Sequence, residues 1–341
     1  MAELRRDPIV GRWTIVNVEE PRLPADFEVE PRIIRGGANC PFCYGNEAMT
    51  PPEIEAIRND STKPNTSGWS VRVVPNKFPA LRIEGDLNRR GIGMFDMSNG
   101  IGAHEVIVET PYHDKTVSDL LNEEIEQVIT LYLRRCLDLR KDRRFKYLLI
   151  FKNHGSAAGA SLEHTHTQLI ALPLIPKNVS EEINGALEYF EYRGRCIFCD
   201  MIGQETQEKE RIIAENKNYL AFCPFVSRFP FEAWITPKKH EADFCFCGAQ
   251  KDGVVDLAGI LKETLLPLKL TLNDPAYNFI IHTSPTDFDA NIKDGYHWHL
   301  EIMPKLMRVA GFEWGTGFYI VPTPPEVAAK YLREATTYGT K

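Results

Sequence analysis

Along this 341-residue chain apolar positions recur with two periods, two for strands and about 3.6 for helices, and the same order of elements appears twice. Near the start, Arg5-Arg-Asp-Pro-Ile-Val-Gly-Arg-Trp-Thr-Ile-Val16 places a Pro/Gly turn before a short alternating run, which predicts an opening hairpin over residues 3–18. The stretch to Gly37 is rich in Pro, Glu and Arg, has no period, and reads as a surface loop. Residues 48–67 read as a polar loop or short helix, 69–74 as a strand, and Pro75-Asn-Lys-Phe-Pro79 as a turn. Residues 102–113 give a further strand that stops at a proline and leaves His113 at its mouth. Leu120, Leu121, Ile125, Val128, Ile129, Leu133, Cys136 and Leu137 then predict an amphipathic helix over 117–142 covering one sheet face.

The next segment carries the chemistry. Residues 147–151 read as a buried strand, and 153–161 as a loop of small residues whose N–H groups can approach an anion. Residues 161–173 read as a second strand. Strand side chains alternate between faces, so His164, His166 and Gln168 are predicted to share one surface. Three polar side chains on one face are costly without a purpose.

After a shorter helix predicted over 181–193, the order returns. Residues 233–240 match 106–113, 254–272 match the first helix, 277–281 match the strand at 147, and His297-Trp-His-Leu-Glu301 matches His164-Thr-His-Thr-Gln168. The repeat divides the chain into residues 1–180 and 181–341 and selects the same kinds of position twice. Cys40, Cys43, His113 and His164 form one Cys₂His₂ set; Cys196, Cys199, His240 and His297 form the other, with Cys245 and Cys247 near enough to His240 to replace a ligand. Four such ligands without an open position describe structural zinc. A redox role would want a thioredoxin-like βαβ pattern, and none surrounds Cys40-Pro-Phe-Cys43.

With His164 and His297 assigned to metal, His166 with Gln168 and His299 with Glu301 are left over. An amide can donate to a phosphoryl oxygen that a carboxylate would repel, and the second half has Thr283-Ser-Pro instead of a glycine-rich loop. The first half is therefore expected to be the active one, with His166 as nucleophile. His104 and His282 are expected to be ordinary hydrogen-bonded histidines, and His154 to sit near the ligand.

Composition changes this picture only by exclusion. A formal net charge of −7 exerts no general pull on nucleic acid or anionic membrane. No Lys/Arg cluster flanks Cys40 or Cys196, as a zinc-stabilised nucleotide- or nucleic-acid-binding module without transferase activity would require. No apolar run reaches the roughly eighteen residues of a membrane span and the N-terminus lacks a signal-peptide core, so a cytoplasmic location with reduced thiols is expected.

Taken together, Arg5-Arg-Asp-Pro8, Cys40-Pro-Phe-Cys43, Pro75-Asn-Lys-Phe-Pro-Ala-Leu81, Thr110-Pro-Tyr-His113, residues 153–168 and Gly311-Phe-Glu313 resemble the histidine triad superfamily. They resemble in particular its galactose-1-phosphate uridylyltransferase branch, whose chains are two fused triad-like halves. The resemblance implies an α+β fold of duplicated histidine-triad type, two mostly antiparallel sheet halves each backed by a helix, and a homodimer. It implies that His166 becomes a nucleotidyl-histidine steadied by Gln168, and that Asn76, Asn153, Gly159 and Ser161 contact substrate. The implied reaction moves UMP from UDP-glucose to a hexose 1-phosphate by double displacement. Two departures bear on the substrate. Thr165 stands where the branch usually has Pro, and Asn17-Val-Glu-Glu-Pro-Arg-Leu-Pro24 leaves only Arg22 in place of an arginine turn that reaches phosphate. With the ending Gly315-Thr-Gly-Phe-Tyr, these features look closer to relatives that phosphorolyse ADP-glucose, which is the alternative; a nucleotide-hydrolysing triad enzyme is a further one.

Overall fold

Local patterning survives into tertiary structure wherever an element has one apolar face to bury. A computed structural model describes residues 1–30, 32, 34 and 36–338. Its elements run β1 (Ala2–Arg6), β2 (Trp13–Asn17), β3 (Glu55–Arg58), β4 (Trp69–Pro75), β5 (Arg90–Ile92), β6 (Phe95–Met97), β7 (Ala103–Val108), α1 (Asn122–Leu139), β8 (Tyr147–His154), β9 (His166–Leu172), α2 (Lys177–Arg193) and α3 (Ile197–Glu208). The chain continues with β10 (Ile212–Glu215), β11 (Tyr219–Phe222), β12 (Ala233–Pro237), α4 (Gly253–Thr271), β13 (Tyr277–His282), α5 (Ala290–Gly295), β14 (His299–Pro304), α6 (Gly311–Thr316), β15 (Tyr319–Val321) and α7 (Pro325–Tyr338).

Ten strands form one sheet in the order β10-β11-β12-β14-β13-β8-β9-β7-β4-β3, every pairing antiparallel. Residues 1–180 supply five of these strands and residues 181–341 the other five, joined where β13 pairs with β8. The opening hairpin forms as expected, and β15 adds to β2 in parallel, so the two ends of the chain share a small sheet.

One face of the large sheet packs on α1 and α4. Ile125, Val128, Ile129, Tyr132, Cys136 and Leu139 of α1 meet Leu257, Leu261, Leu265 and Leu268 of α4 in a single core that also holds Val71, Ile107, Ile150 and Leu169 from the strands. Two positions of the predicted stripe fall outside it, Leu121 at 62% exposure and Leu137 at 44%, because the helix starts only at Asn122 and Leu137 points away from the sheet. Arg135 instead lies on the buried side, where Glu105 takes its guanidinium at 2.8 and 2.9 Å.

The opposite face is treated differently in the two halves. Over the second half, α2 and α3 bring Val179, Ile183, Ala186 and Phe198 down on Leu220, Phe222 and Trp234. Over the first half, among the described residues, the Cys40–Cys43 segment with Phe42 and Leu162 packs on Val74, Val106 and Val108. The first half's face is thus the more open.

Several expectations are corrected. Residues 55–58 form a strand, β3, rather than loop or helix. The His-bearing strand begins at His166, and His164 lies in the bend before it, so His164 is not on a strand face with His166 and Gln168. Cys245 and Cys247 do not join the second ligand set; both are buried in the α1–α4 core near Cys136.

Candidate active site and metal centres

Both predicted ligand sets assemble. Cys40, Cys43, His113 and His164 place their sulfur and ring nitrogen atoms within 4.8 Å of one another, and so do Cys196, Cys199, His240 and His297. In the first set Cys43 Sγ lies 3.3 Å from His113 Nδ1 and 3.5 Å from His164 Nδ1, and Cys40 Sγ lies 3.7 Å from His164 Nδ1. In the second, Cys199 Sγ is 3.4 and 3.6 Å from Nδ1 of His240 and His297. Tetrahedral zinc with Zn–S near 2.3 Å and Zn–N near 2.0 Å needs ligand atoms about 3.3–3.8 Å apart, so the spacing fits.

The tautomers fit as well. His164 Nε2 donates to the Thr110 carbonyl at 2.7 Å, His240 Nε2 to Lys293 at 2.8 Å and His297 Nε2 to Pro237 at 2.9 Å. Each donation leaves the Nδ1 lone pair aimed at the thiols, the outer-shell arrangement that orients a metal-binding imidazole. Burial, and then the neighbouring His113 and His166, push His164 down to about 4. At Gly37 an added Cβ would come 2.8 Å from Cys43 Sγ, so the first cradle tolerates no side chain there.

His166 stands at the start of β9, with Gln168 two residues on. Its Nδ1–H donates to the His164 carbonyl at 2.8 Å, which directs the Nε2 lone pair outward. Burial, and next the Lys152 cation, lower its pKa below the usual 6.5, so the ring is neutral at neutral pH. On the reverse face of the same strand lies a buried ion pair. Lys152 Nζ donates to Glu109 Oε2 at 2.5 Å, Thr165 Oγ1 at 2.8 Å and the His166 carbonyl at 2.9 Å. Glu109 also accepts from Thr165, Thr167 and Tyr132 at 2.5, 2.5 and 3.0 Å. Thr165, the departure from the usual proline, is therefore part of the support beneath His166.

Beside His166, loop 155–161 turns on Gly155, whose φ of +79° and contact with Ala276 both exclude a side chain. With His154, Ser156, Ser161, Arg32 and Asp274 this loop lines a cavity of about 450 Å³. Arg32 was not foreseen. It comes from the aperiodic loop, whereas Arg22, the expected survivor of the arginine turn, is exposed and has its backbone bonded to Pro322 and Thr323. Asn153 lies on β8 beside this loop, and Gly159, in left-handed conformation, has its Cα side near the Asn153 amide. Asn76 lines a second cavity of about 490 Å³ together with Lys77, Arg82 and His104. His104 is hydrogen-bonded as expected, and its partner is Gln168, whose Oε1 lies 2.8 Å from His104 Nε2.

Among the described residues of the second half, the matching histidine is shut in. His299 is fully buried, stacked on Trp234 at 4.7 Å and on His282 at 4.9 Å. Glu182 of α2 binds His282 Nδ1 at 2.7 Å and comes within 3.6 Å of His299 Nε2. Burial opposes the charge on both partners, yet their mutual attraction holds Glu182 at about 2 and His282 at about 9. His282 is thus an ion-pair partner, against the expectation of an ordinary histidine.

The chain is similar to known proteins over nearly its whole length. The family model described as the N-terminal domain of galactose-1-phosphate uridyl transferase matches residues 3–176, and a domain family of unknown function matches residues 100–337. The chain is 37% identical to ADP-glucose phosphorylase of Arabidopsis thaliana, over 97% of this chain and 92% of that one. It is 29% identical to galactose-1-phosphate uridylyltransferase of Thermotoga maritima, over 98% of each. A crystal structure of the Arabidopsis thaliana ADP-glucose phosphorylase with bound ADP-glucose superposes with a TM-score of 0.81 at 36% identity, covering 98% of this chain and 99% of that one.

Proposed function

The chain belongs to the galactose-1-phosphate uridylyltransferase family of nucleotidyltransferases, and from that premise we propose that it transfers AMP from ADP-glucose to inorganic phosphate through His166. His166 Nε2 attacks the α-phosphorus, forming the N–P bond as the bond to the bridging oxygen breaks and glucose 1-phosphate leaves with the electron pair. A phosphate oxygen then attacks the same phosphorus and the N–P bond breaks, releasing ADP. The Nδ1 proton stays on His166 throughout, held by the His164 carbonyl. Gln168 and Asn153 donate to the phosphoryl oxygens, while Arg32, Ser161 and the backbone around Gly159 receive the departing phosphate, and Asn76 contacts the nucleoside.

The observation that carries the reaction type is His166 with Nδ1 held by the His164 carbonyl, which leaves Nε2 as its lone-pair nitrogen, on the strand that follows the loop and Arg32 cavity at residues 155–163. The choice of ADP-glucose is supported by the 37% identity to the phosphorylase against 29% to the uridylyltransferase, each match spanning nearly all of this chain. The resemblance of the motifs alone ranks UDP-glucose and a hexose 1-phosphate first, and that pair is the second reading. Measured kcat/KM should be higher for ADP-glucose with phosphate than for UDP-glucose with galactose 1-phosphate; the reverse ranking would make the second reading the correct one.

We also propose that each Cys₂His₂ set holds structural zinc. Bound there, the metal would cross-link segments far apart in sequence, and its binding energy would count as folding energy. Protein purified without added metal should contain about two zinc ions per chain, and Cys40→Ser should lower both the zinc content and the melting temperature. A folded, active, metal-free sample would remove the proposal.

A further inference from the structure

Three amides surround the site, and in all three the oxygen is taken up by the protein. Phe78 N–H donates to Asn76 Oδ1 at 2.9 Å. Ala80 N–H donates to His104 Nδ1 at 3.2 Å, so the neutral ring carries its proton on Nε2, and that Nε2–H donates to Gln168 Oε1 at 2.8 Å. Asn278 Nδ2 donates to the Ala158 carbonyl at 2.9 Å and to Asn153 Oδ1 at 2.8 Å. Each chain of hydrogen bonds begins at a backbone group, whose donor or acceptor sense cannot reverse. The polarity of the side-chain amides is therefore dictated, not left to rotation.

Direction matters because the two ends of an amide act oppositely on a phosphoryl group. The NH₂ end stabilises charge building on a phosphoryl oxygen, and the oxygen end repels it. Strand order places the two orienting groups on either side of the nucleophile: His104 on β7, next to β9, and Asn278 on β13, next to the β8 that carries Asn153. His104 Nε2 and Asn76 Nδ2 lie 3.1 Å apart, and with the Nε2 proton given to Gln168 the Asn76 amide has no acceptor in that ring.

We propose that His104 and Asn278 are positioning residues that set the polarity of the site, holding Gln168 and Asn153 by their oxygens so that both NH₂ groups face the transferring phosphoryl group. This rests on the nucleotidyl-transfer reading given above. Neither residue touches the reacting atoms, so the effect of each must pass through its amide.

Double-mutant cycles read this directly. His104→Ala should lower kcat for nucleotidyl transfer roughly ten- to hundredfold with KM for the nucleotide sugar little changed, and His104→Gln, which keeps a donor, should recover part of the loss. In a Gln168→Ala background the same His104→Ala change should cost almost nothing more. Asn278→Asp, which preserves shape, should be worse than Asn278→Ala, because a carboxylate would capture the NH₂ of Asn153 and turn its oxygen to the phosphate. Additive losses in the cycle, or Asn278→Asp matching wild type, would overturn the inference while leaving the transfer reading intact. Wild-type protein that transfers no nucleotide from either sugar would overturn both.

Discussion

Replacing His166 with asparagine is expected to abolish covalent labelling and nucleotidyl transfer together, a loss of roughly 10⁴-fold or more, the scale on which removal of a covalent nucleophile acts. Asparagine keeps a donor that can reach the His164 carbonyl but has nothing in place of Nε2, so fold and metal set should survive while the chemistry does not. The measurement is retention of label from a nucleotide sugar labelled in the α-phosphate, after denaturation at alkaline pH to protect the acid-labile N–P bond. His299→Asn should keep most of the labelling per folded molecule, since His299 is shut between Trp234, His282 and Phe198 under α2 and no substrate reaches it. Label on His299, or turnover by the His166→Asn protein, would show that the wrong half has been assigned.

The second large effect concerns stability. Lys152→Met should cost about 3–5 kcal/mol of unfolding free energy, because it strands the Glu109 carboxylate in the core with one partner removed. Glu109 is 1% exposed, and burial opposes its charge; Lys152 and the hydroxyls of Thr165 and Thr167 overcome that and hold it below the ordinary carboxylate value. The sign of the pH effect follows. A depressed carboxylate adds stability above its unfolded pKa near 4.5 and loses it as pH falls through the folded value, so the Glu109 contribution is fully present at neutral pH, while burial pulls the Lys152 ammonium the other way, below its usual value. Urea unfolding at pH 7 should therefore show the full loss for Lys152→Met, and adding Glu109→Gln should recover part of it by removing the stranded charge. A loss below about 1 kcal/mol would mean that water enters the site and that the pair does not support the His166 carbonyl as described.

How much of this was legible in the sequence depended on whether a residue's neighbours were local. The α1 stripe, the strand at 147 and the opening hairpin were readable because a period of 3.6 or 2 states which side an element buries. The ligand sets were readable because the repeat picks the same residue types twice, although the contacts join positions as far apart as Cys40 and His164. β3 escaped because its four residues are all half-buried and carry no clean alternation. Arg32 and Asn278 escaped because their partners lie across the fold, and no spacing along the chain announces a hydrogen bond between Asn278 and Asn153.

By itself the sequence determined the opening hairpin, the strands at 69, 103, 147 and 277, the two long helices and the eight metal-ligand candidates, and it proposed His166 over His164, since each follows from residue type and spacing. Tertiary structure alone decided which half is open. Both halves present a histidine at the same strand position, but α2 and α3 lie over His299 with Glu182 and Phe198, whereas among the described residues the Cys40–Cys43 segment with Phe42, and no helix, covers the face that carries His166. It also decided the direction of each amide. A hydrogen-bond sense is set by the group opposite, and for Gln168 and Asn153 that group sits on a neighbouring strand, brought there by the burial of the apolar residues on the other side of the sheet.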